Sequence, residues 1–280
     1  MAKFHLLHCV PNRLMHGLMG YLEIIQTVEY GLKQLGHQVT YAVNHASAEA
    51  RNIVFGAQVL PMEFFDKLSP DTIIYNFEQQ RGLDPSQIRQ QVIEIAKKFT
   101  LWDYSAANLD TWKKLGREDV KLVPVGYAPV LTRIPNNAVQ DIDVLIYGLS
   151  GEQRLRCFHK LSKAGLTTVF ISGLYGEARD DLIKRSKLVL NINLYDFSKI
   201  FEIARVSYLL ANRKAVVSVI DGDTFIESDV RESCIFVEED ALVDTCFQAL
   251  GNPELRKGVE DKGFDIFSKR DIVEILRPVV

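Results

Sequence analysis

The 280-residue chain has no cysteines at CxxC spacing, no apolar run long enough to cross a bilayer, no excess of positive charge and no internal repeat. Its four cysteines, Cys9, Cys157, Cys234 and Cys246, stand far apart, which argues against a zinc ribbon or a disulfide framework and leaves free, buried thiols. His5, His8, His16, His37, His45 and His159 show no HExxH-like spacing, so no metal site is expected. With 33 basic residues against 36 acidic ones, a formal net charge of −3, a nucleic-acid binder working through a basic face is disfavoured. A small molecule or a glycan is the expected partner. The start, Met1-Ala2-Lys3-Phe4-His5, runs straight into a strand-like segment, without the charged head and apolar middle of a secretory signal. Together with the lack of a transmembrane run, this predicts a cytoplasmic protein.

What the sequence does have is a regular alternation of β-rich runs with helical periodicity, and 47% hydrophobic residues with which to bury large cores. Strands are predicted over 4–10, 37–43, 52–55, 72–76, 99–102 and 120–123, then over 142–147, 168–172, 188–193, 215–220 and 234–237. The first unit reads as a βαβ: a loop with Gly17 and Gly20 follows the first strand, and Tyr21, Ile25, Val28, Leu32 and Leu35 form one apolar helix stripe that ends at Gly36. Further helices are predicted over 86–98, 106–115, 153–164, 178–187, 199–212, 241–250, 253–262 and 267–276. Between 124 and 137, Pro124, Gly126, Pro129, Pro135, Asn136 and Asn137 mark a linker. The predicted fold class is therefore α/β, two Rossmann-like, doubly wound parallel-sheet domains: an N-terminal one over 1–125, a C-terminal one over 126–265, and a last helix over 266–280 expected to pack back toward the first.

In open parallel sheets ligands bind beyond the carboxyl ends of the strands. Three loops of the second half meet that description: Gly148-Leu149-Ser150-Gly151, Gly173-Leu174-Tyr175-Gly176, and Asn193-Leu194-Tyr195-Asp196-Phe197-Ser198. The glycines either allow close backbone approach to a ligand or only permit tight turns. After the third loop, Ser198 reads as an N-cap, so that free helix amides and the charge of Lys199 meet a diphosphate. Glu202, one turn further in, can then reach vicinal ribose hydroxyls. Arg205 falls on the Glu202 face, with an intrahelical ion pair as the alternative.

Residues 143–148, 175–180, and Lys199-Ile200-Phe201-Glu202 through Ala215-Val216-Val217-Ser218 resemble the nucleotide-binding half of group 1 glycosyltransferases of GT-B architecture, and within them the small spore-maturation-protein-like branch. The resemblance implies two domains facing a cleft. A nucleotide-diphosphate sugar is held by the second domain, and a hydroxyl-bearing acceptor, glycan, lipid-linked or small-molecule, by the first. It also implies a metal-independent transfer needing no cofactor, in which helix amides and basic side chains such as Lys199 and Arg154 stabilise the departing diphosphate. Arg154 has a second reading as a solvated helix residue. The donor site implied comprises Gly148, Ser150, Arg154, Gly173, Tyr175, Gly176, Asn193, Tyr195, Ser198, Lys199, Ile200 and Glu202. The chain departs from the family pattern at its second glutamate, where Tyr208 aligns, with Arg213 at the glycine and Ala215 at the proline.

For a base or acceptor-orienting group, Glu23, Glu78 and Asp103 are candidates, each following a predicted strand or loop. Gly20, Tyr21, Asn76, Tyr104 and Tyr127 are candidate acceptor contacts, and Trp102 is a sugar-stacking or core residue. Two further functions compete: a binding protein of the same fold that has lost turnover, and a nucleotide-sugar epimerase. A dehydrogenase or a methyltransferase ranks lower, because no GxGxxG follows the first strand of either half.

Overall fold

The computed structural model describes residues 1–11, 16–135, 139–195 and 197–280; part of the first loop, Asn136 and Asn137 of the linker, and Asp196 lie outside the described residues. Two compact units emerge, one of Met1–Ala128 with Asp271–Val280, the other of Pro129–Arg270. Along unit one run β1 (Lys3–His8), α1 (Leu22–Gln34), β2 (Gln38–Val43), β3 (Arg51–Phe55), α2 (Met62–Phe65), β4 (Ile73–Asn76), α3 (Gln90–Lys98), β5 (Thr100–Asp103), α4 (Leu109–Lys114) and β6 (Lys121–Leu122). Unit two contains β7 (Ile142–Tyr147), α5 (Glu152–Lys163), β8 (Thr168–Ile171), α6 (Glu177–Arg185), β9 (Ser186–Asn191), α7 (Ile203–Ala211), β10 (Val216–Val219), β11 (Ile235–Val237), α8 (Leu242–Gly251) and α9 (Pro253–Phe267). The final helix, α10 (Ile272–Leu276), belongs to unit one.

Both sheets are parallel throughout, in the orders β2-β1-β3-β4-β5-β6 and β11-β10-β9-β7-β8. Every predicted strand is present, its ends within two residues of expectation. In unit one, α1 buries Ile24, Ile25, Val28 and Leu32. It stops where Gly36 turns left-handed at φ 83° and the His37 N–H returns to Leu32 O at 3.1 Å. Gly31 makes room for α10: a Cβ there would lie 2.7 Å from Leu276 Cδ1. In unit two, Val144, Ile146, Leu188, Leu190 and Val217 pack on Cys157 and Leu161 of α5 and on Leu242 and Cys246 of α8. Because side chains alternate along a strand, Leu145, Tyr147, Val189 and Asn191 face the other side, where α6 and α7 pack.

Three expectations are corrected. The helix predicted over 199–212 begins at Ile203, because 199–202 is drawn into extended pairing with the 225 region: Phe201 N–H donates to Phe225 O at 2.9 Å, and Phe225 N–H to Lys199 O at 2.8 Å. The break expected after 262 does not occur, since α9 runs on to Phe267. Gly263 permits this, for a Cβ would stand 2.7 Å from Ser233 O. The third concerns the last domain boundary: the second unit runs to Arg270 and not to 265, and the stretch from Asp271 belongs to the first. Among the described residues no helix is long and apolar enough to cross a membrane.

Candidate functional site

The strand order of unit two places β7 beside β9, with the chain leaving β7 toward β8 and leaving β9 toward β10 and β11. The carboxyl ends of these two strands form the topological switch point, where an open α/β sheet parts its loops. Two arginines converge there. Arg154, from the first turn of α5, is 1% exposed and donates to Ile192 O from Nε at 3.0 Å and Nη2 at 2.8 Å, and to Leu149 O from Nη1 at 2.7 Å. Its charge is thus held between the loops that follow β7 and β9 by neutral carbonyls, and among the described residues it forms no ion pair. Burial away from water, followed by repulsion from the Arg205 charge, depresses its pKa to about 9, so it stays protonated at neutral pH.

Arg205, in the first turn of α7, approaches the same point. Gly148, at φ 124°, is needed on both counts: a Cβ would lie 2.9 Å from Arg154 Nη1 and 3.4 Å from Arg205 Nη2. The Arg205 guanidinium carbon stands over the Tyr147 ring at 5.8 Å, and its Nη1 is buried without a hydrogen-bond partner. Glu202 Oε2 lies 3.7 Å from Arg205 Nη2, beyond a good hydrogen bond. The predicted ion pair therefore exists in loose form, and among the described residues two guanidinium charges share one nearby carboxylate.

The remaining donor-site predictions divide. Glu202 is the N-cap of α7 itself and not a residue one turn inside it. Ser198 is consequently no helix cap. Lys199, expected to add its charge at the diphosphate, precedes the helix, and its ammonium is bound by the carboxylate of Asp221. Ile200 is buried and bridged to Phe225. Asn193 is a loop staple whose Nδ2 donates to Ser198 O. Gly148 and Ser150 stay on the loop after β7, the latter exposed. Gly173 and Gly176, at φ 73° and 64°, shape the loop before α6, on which Tyr175 is half-buried. Tyr195 remains exposed and stacks on Phe197, ring centroids 4.9 Å apart at 6°. Tyr208, at the position aligned with the missing glutamate, is 2% exposed, donates to Asp180 Oδ2 at 2.7 Å and accepts from Arg133 Nε at 2.8 Å. Arg213, aligned with a glycine, adopts the left-handed φ of 51° that a glycine would take without strain.

In unit one the three candidate carboxylates separate by burial. Asp103 is fully buried and accepts from Ser105 N, Asn76 Nδ2, Asn108 Nδ2 and Trp112 Nε1, at 2.9, 2.7, 2.9 and 2.6 Å. Desolvation outweighs those bonds and raises its pKa to about 6. It is a structural hub, not an accessible base. Glu23 lies on the buried face of α1. Glu78 alone is half-buried; Gln58 Nε2 donates to its carboxylate at 2.5 Å and Tyr21 OH at 3.4 Å. Its backbone is fixed by Asn76 and Asn108, whose Nδ2 groups both donate to Glu78 O at 3.0 Å. A small pocket lies beside it, lined by Gln58, Asn76, Glu78, Ile74, Ile95 and Trp112. Of the other acceptor candidates, Tyr104 is core, packed on Phe77 at 5.6 Å, and Tyr127 is tied through its backbone to Asp271 and Ile272. Gly20 is exposed, and Trp102 is fully buried, as a core residue. Among the described residues no three His, Cys, Asp or Glu side chains are grouped to hold a metal.

No protein-family model matches the chain. It is 25% identical over 176 residues to the uncharacterized protein R358 of Acanthamoeba polyphaga mimivirus, an alignment that takes in 61% of this chain and 60% of the viral protein's length. Its fold is that of GT-B glycosyltransferases. AviGT4, a glycosyltransferase involved in avilamycin A biosynthesis, superposes at TM-score 0.63 with 15% identity, over 99% of this chain and 96% of AviGT4. Anabaena HepE in complex with UDP and glucose gives 0.62 and 14%, over 100% and 98%. The phage T4 enzyme BGT in complex with UDP-glucose gives 0.60 and 13%, over 99% and 98%.

Proposed function

We propose that the protein is a glycosyltransferase that moves a sugar from a nucleotide-diphosphate sugar, with UDP-sugars the first donors to test, to a hydroxyl-bearing acceptor. The observation that carries this reading is the pair Arg154 and Arg205 at the switch point of unit two, two buried or half-buried guanidiniums with one loosely placed carboxylate. An uncompensated buried charge costs folding energy. A diphosphate supplies the missing counter-charge, and Arg205 Nη1 supplies an open donor for it.

The same arrangement suits the chemistry of departure. As the acceptor oxygen bonds to the anomeric carbon, the bond from that carbon to the diphosphate oxygen breaks with its electron pair, and the leaving group gains one negative charge. At an effective dielectric of 20, each guanidinium about 4 Å from that charge lowers its energy by about 4 kcal/mol. This charge appears only as the bond breaks, so the interaction accelerates the step instead of merely tightening donor binding. The arginines thereby take the role that a divalent cation fills elsewhere, and we read the transfer as metal-independent. Glu202, with its carboxylate at the head of α7, is assigned to donor hydroxyls. Glu78 is assigned to the acceptor hydroxyl and its proton. The assignment to the spore-maturation-like branch rests on the resemblance of residues 143–148, 175–180 and 199–218. A glycan, lipid-linked or small-molecule acceptor is assigned to the first unit on the family resemblance.

One observation favours a second reading. Tyr208 fills the position of a carboxylate with a buried, fully engaged phenol, which suits a protein that binds the donor and has lost turnover. Incubating the purified protein with UDP-glucose, and following UDP release with and without an acceptor panel, separates the two. Release above the uncatalysed rate supports the transferase. Saturable binding without release supports the binding protein, and no binding rejects both.

A further inference from the structure

Arg205 is held in place by an aromatic ring. Its guanidinium carbon stands 5.8 Å from the centroid of Tyr147, the last residue of β7, and that ring carries a second guanidinium, Arg179 of α6, at 5.9 Å. Arg179 is 3% exposed, also stands over Tyr208 at 4.7 Å, and is anchored by Asp180 Oδ1 at 2.8 Å. Arg133 lies over Tyr208 in turn at 5.0 Å, with Asp180 Oδ2 3.7 Å away. Arg205, Tyr147, Arg179, Tyr208 and Arg133 thus form a ladder of alternating guanidinium and ring. Among the described residues Asp180 sits at the end far from Arg205, bound to Arg179 at 2.8 Å, while at the near end Glu202 Oε2 stands 3.7 Å from Arg205 Nη2.

The chemistry of that distribution is directional. A carboxylate fixes an arginine by hydrogen bonds and cancels its charge. A ring face fixes the guanidinium plane through its quadrupole and leaves the whole positive charge available to a ligand. Arg179 is bound by Asp180 at 2.8 Å, and Arg133 reaches the same carboxylate through Tyr208 OH. Arg205 is oriented by Tyr147, and its Nη1 keeps no protein partner. Tyr147 in turn is 8% exposed, seated between α6 and α7, and followed by Gly148, whose missing Cβ leaves space for both arginines of the anion site.

We propose that Tyr147 is a positioning residue that aims Arg205 at the terminal phosphate of a nucleoside diphosphate, with Arg179 and Asp180 locking the ring from behind. This rests on reading Arg154 and Arg205 as the diphosphate site. The ring acts through its face, not its hydroxyl, so Phe substitutes for Tyr and an aliphatic side chain of similar bulk does not. It also acts through the guanidinium plane, so the point charge of a lysine at 205 does not replace the arginine.

The test is calorimetric titration with UDP of the wild type, Tyr147→Phe, Tyr147→Leu, Arg205→Lys, Arg205→Met and the Tyr147→Leu/Arg205→Met double variant, with folding checked by thermal melts. Tyr147→Phe is expected to bind UDP within about twofold of wild type, and Tyr147→Leu and Arg205→Lys about tenfold more weakly. In the Arg205→Met background, Tyr147→Leu is expected to cost nothing further, because the two act as one unit. Wild-type affinity in Tyr147→Leu, additive losses in the double variant, or a Tyr147→Phe as weak as Tyr147→Leu overturns the proposal while leaving the diphosphate site standing. Should Tyr147→Leu fail to fold, wild-type affinity in Arg205→Lys overturns it and a tenfold loss supports it. Absence of UDP binding by the wild type overturns this proposal and the diphosphate reading together.

Discussion

Arg154 is 1% exposed and Arg270 8%, both in unit two, yet the protein treats their charges in opposite ways. Arg270 is gripped by Asp229 and Glu227, which hold its pKa above the usual value against the desolvation that works to lower it. Arg154 has only backbone carbonyls, a second arginine nearby and a depressed pKa. Open N–H capacity does not separate the two regions, because Arg270 Nη1 also lacks a partner. The absence of a carboxylate does. Asp103 of unit one completes the contrast, since it too is a buried charge held only by neutral groups, but donors fill both of its oxygens. The Arg154–Arg205 pair divides the two features that suit a ligand: Arg154 is held by neutral carbonyls, and Arg205 Nη1 keeps an open donor.

Removing each arginine breaks the comparison most sharply. Arg270→Met strands two carboxylates and is expected to cost about 3–5 kcal/mol of stability by denaturant unfolding, with activity per folded molecule unchanged. Arg154→Met leaves Glu202 with Arg205 beside it, so its midpoint is expected to shift by less than that of Arg270→Met. UDP release is expected to fall roughly 10²- to 10³-fold, as when one transition-state donor is lost. Should the two variants exchange phenotypes, the assignment of structural and functional arginine is reversed.

The pH dependence of unit one tests the third buried charge. Because burial raises the folded-state pKa of Asp103 from 3.8 to about 6, its contribution is fully present below the unfolded pKa and is lost as pH rises through about 6. Wild-type stability, measured relative to Asp103→Asn, is expected to fall by up to about 3 kcal/mol between pH 4 and 6. A flat difference would show that the hub's bonds already compensate its burial. The smallest effect expected is that of Gly148→Ala. The added methyl meets Arg154 Nη1 at 2.9 Å and is expected to weaken UDP binding about tenfold by displacing the guanidinium.

The parallel sheets were legible in the sequence because buried strands such as Leu188-Val189-Leu190 are apolar on both faces, and that signal is local. The start of α7 was not. Local capping logic favours Ser198 and a helix from Lys199, but a bridge between Ile200 and Phe225, 25 residues further along the chain, holds the segment extended and moves Glu202 to the cap. The ion pair of Lys199 with Asp221 likewise joins residues 22 apart in the chain and has no local signature. Arg154 was identified from its place after a glycine loop, and Arg205 was left open between ligand and ion pair. Neither the burial of the first nor the aromatic seat of the second has a sequence signature, since both depend on strands and helices meeting at the switch point. Asp103 failed as a base because position after a strand says nothing about whether four donors will enclose the carboxylate.

Calorimetric titration of the wild type and Arg154→Met with UDP and UDP-glucose tests the central claim most directly. If the switch-point arginines are reserved for the charge that appears on departure, UDP binds the wild type at least tenfold more tightly than UDP-glucose, and Arg154→Met loses most of that preference. Equal affinity for the two nucleotides in the wild type, or an undiminished preference in Arg154→Met, would contradict the account.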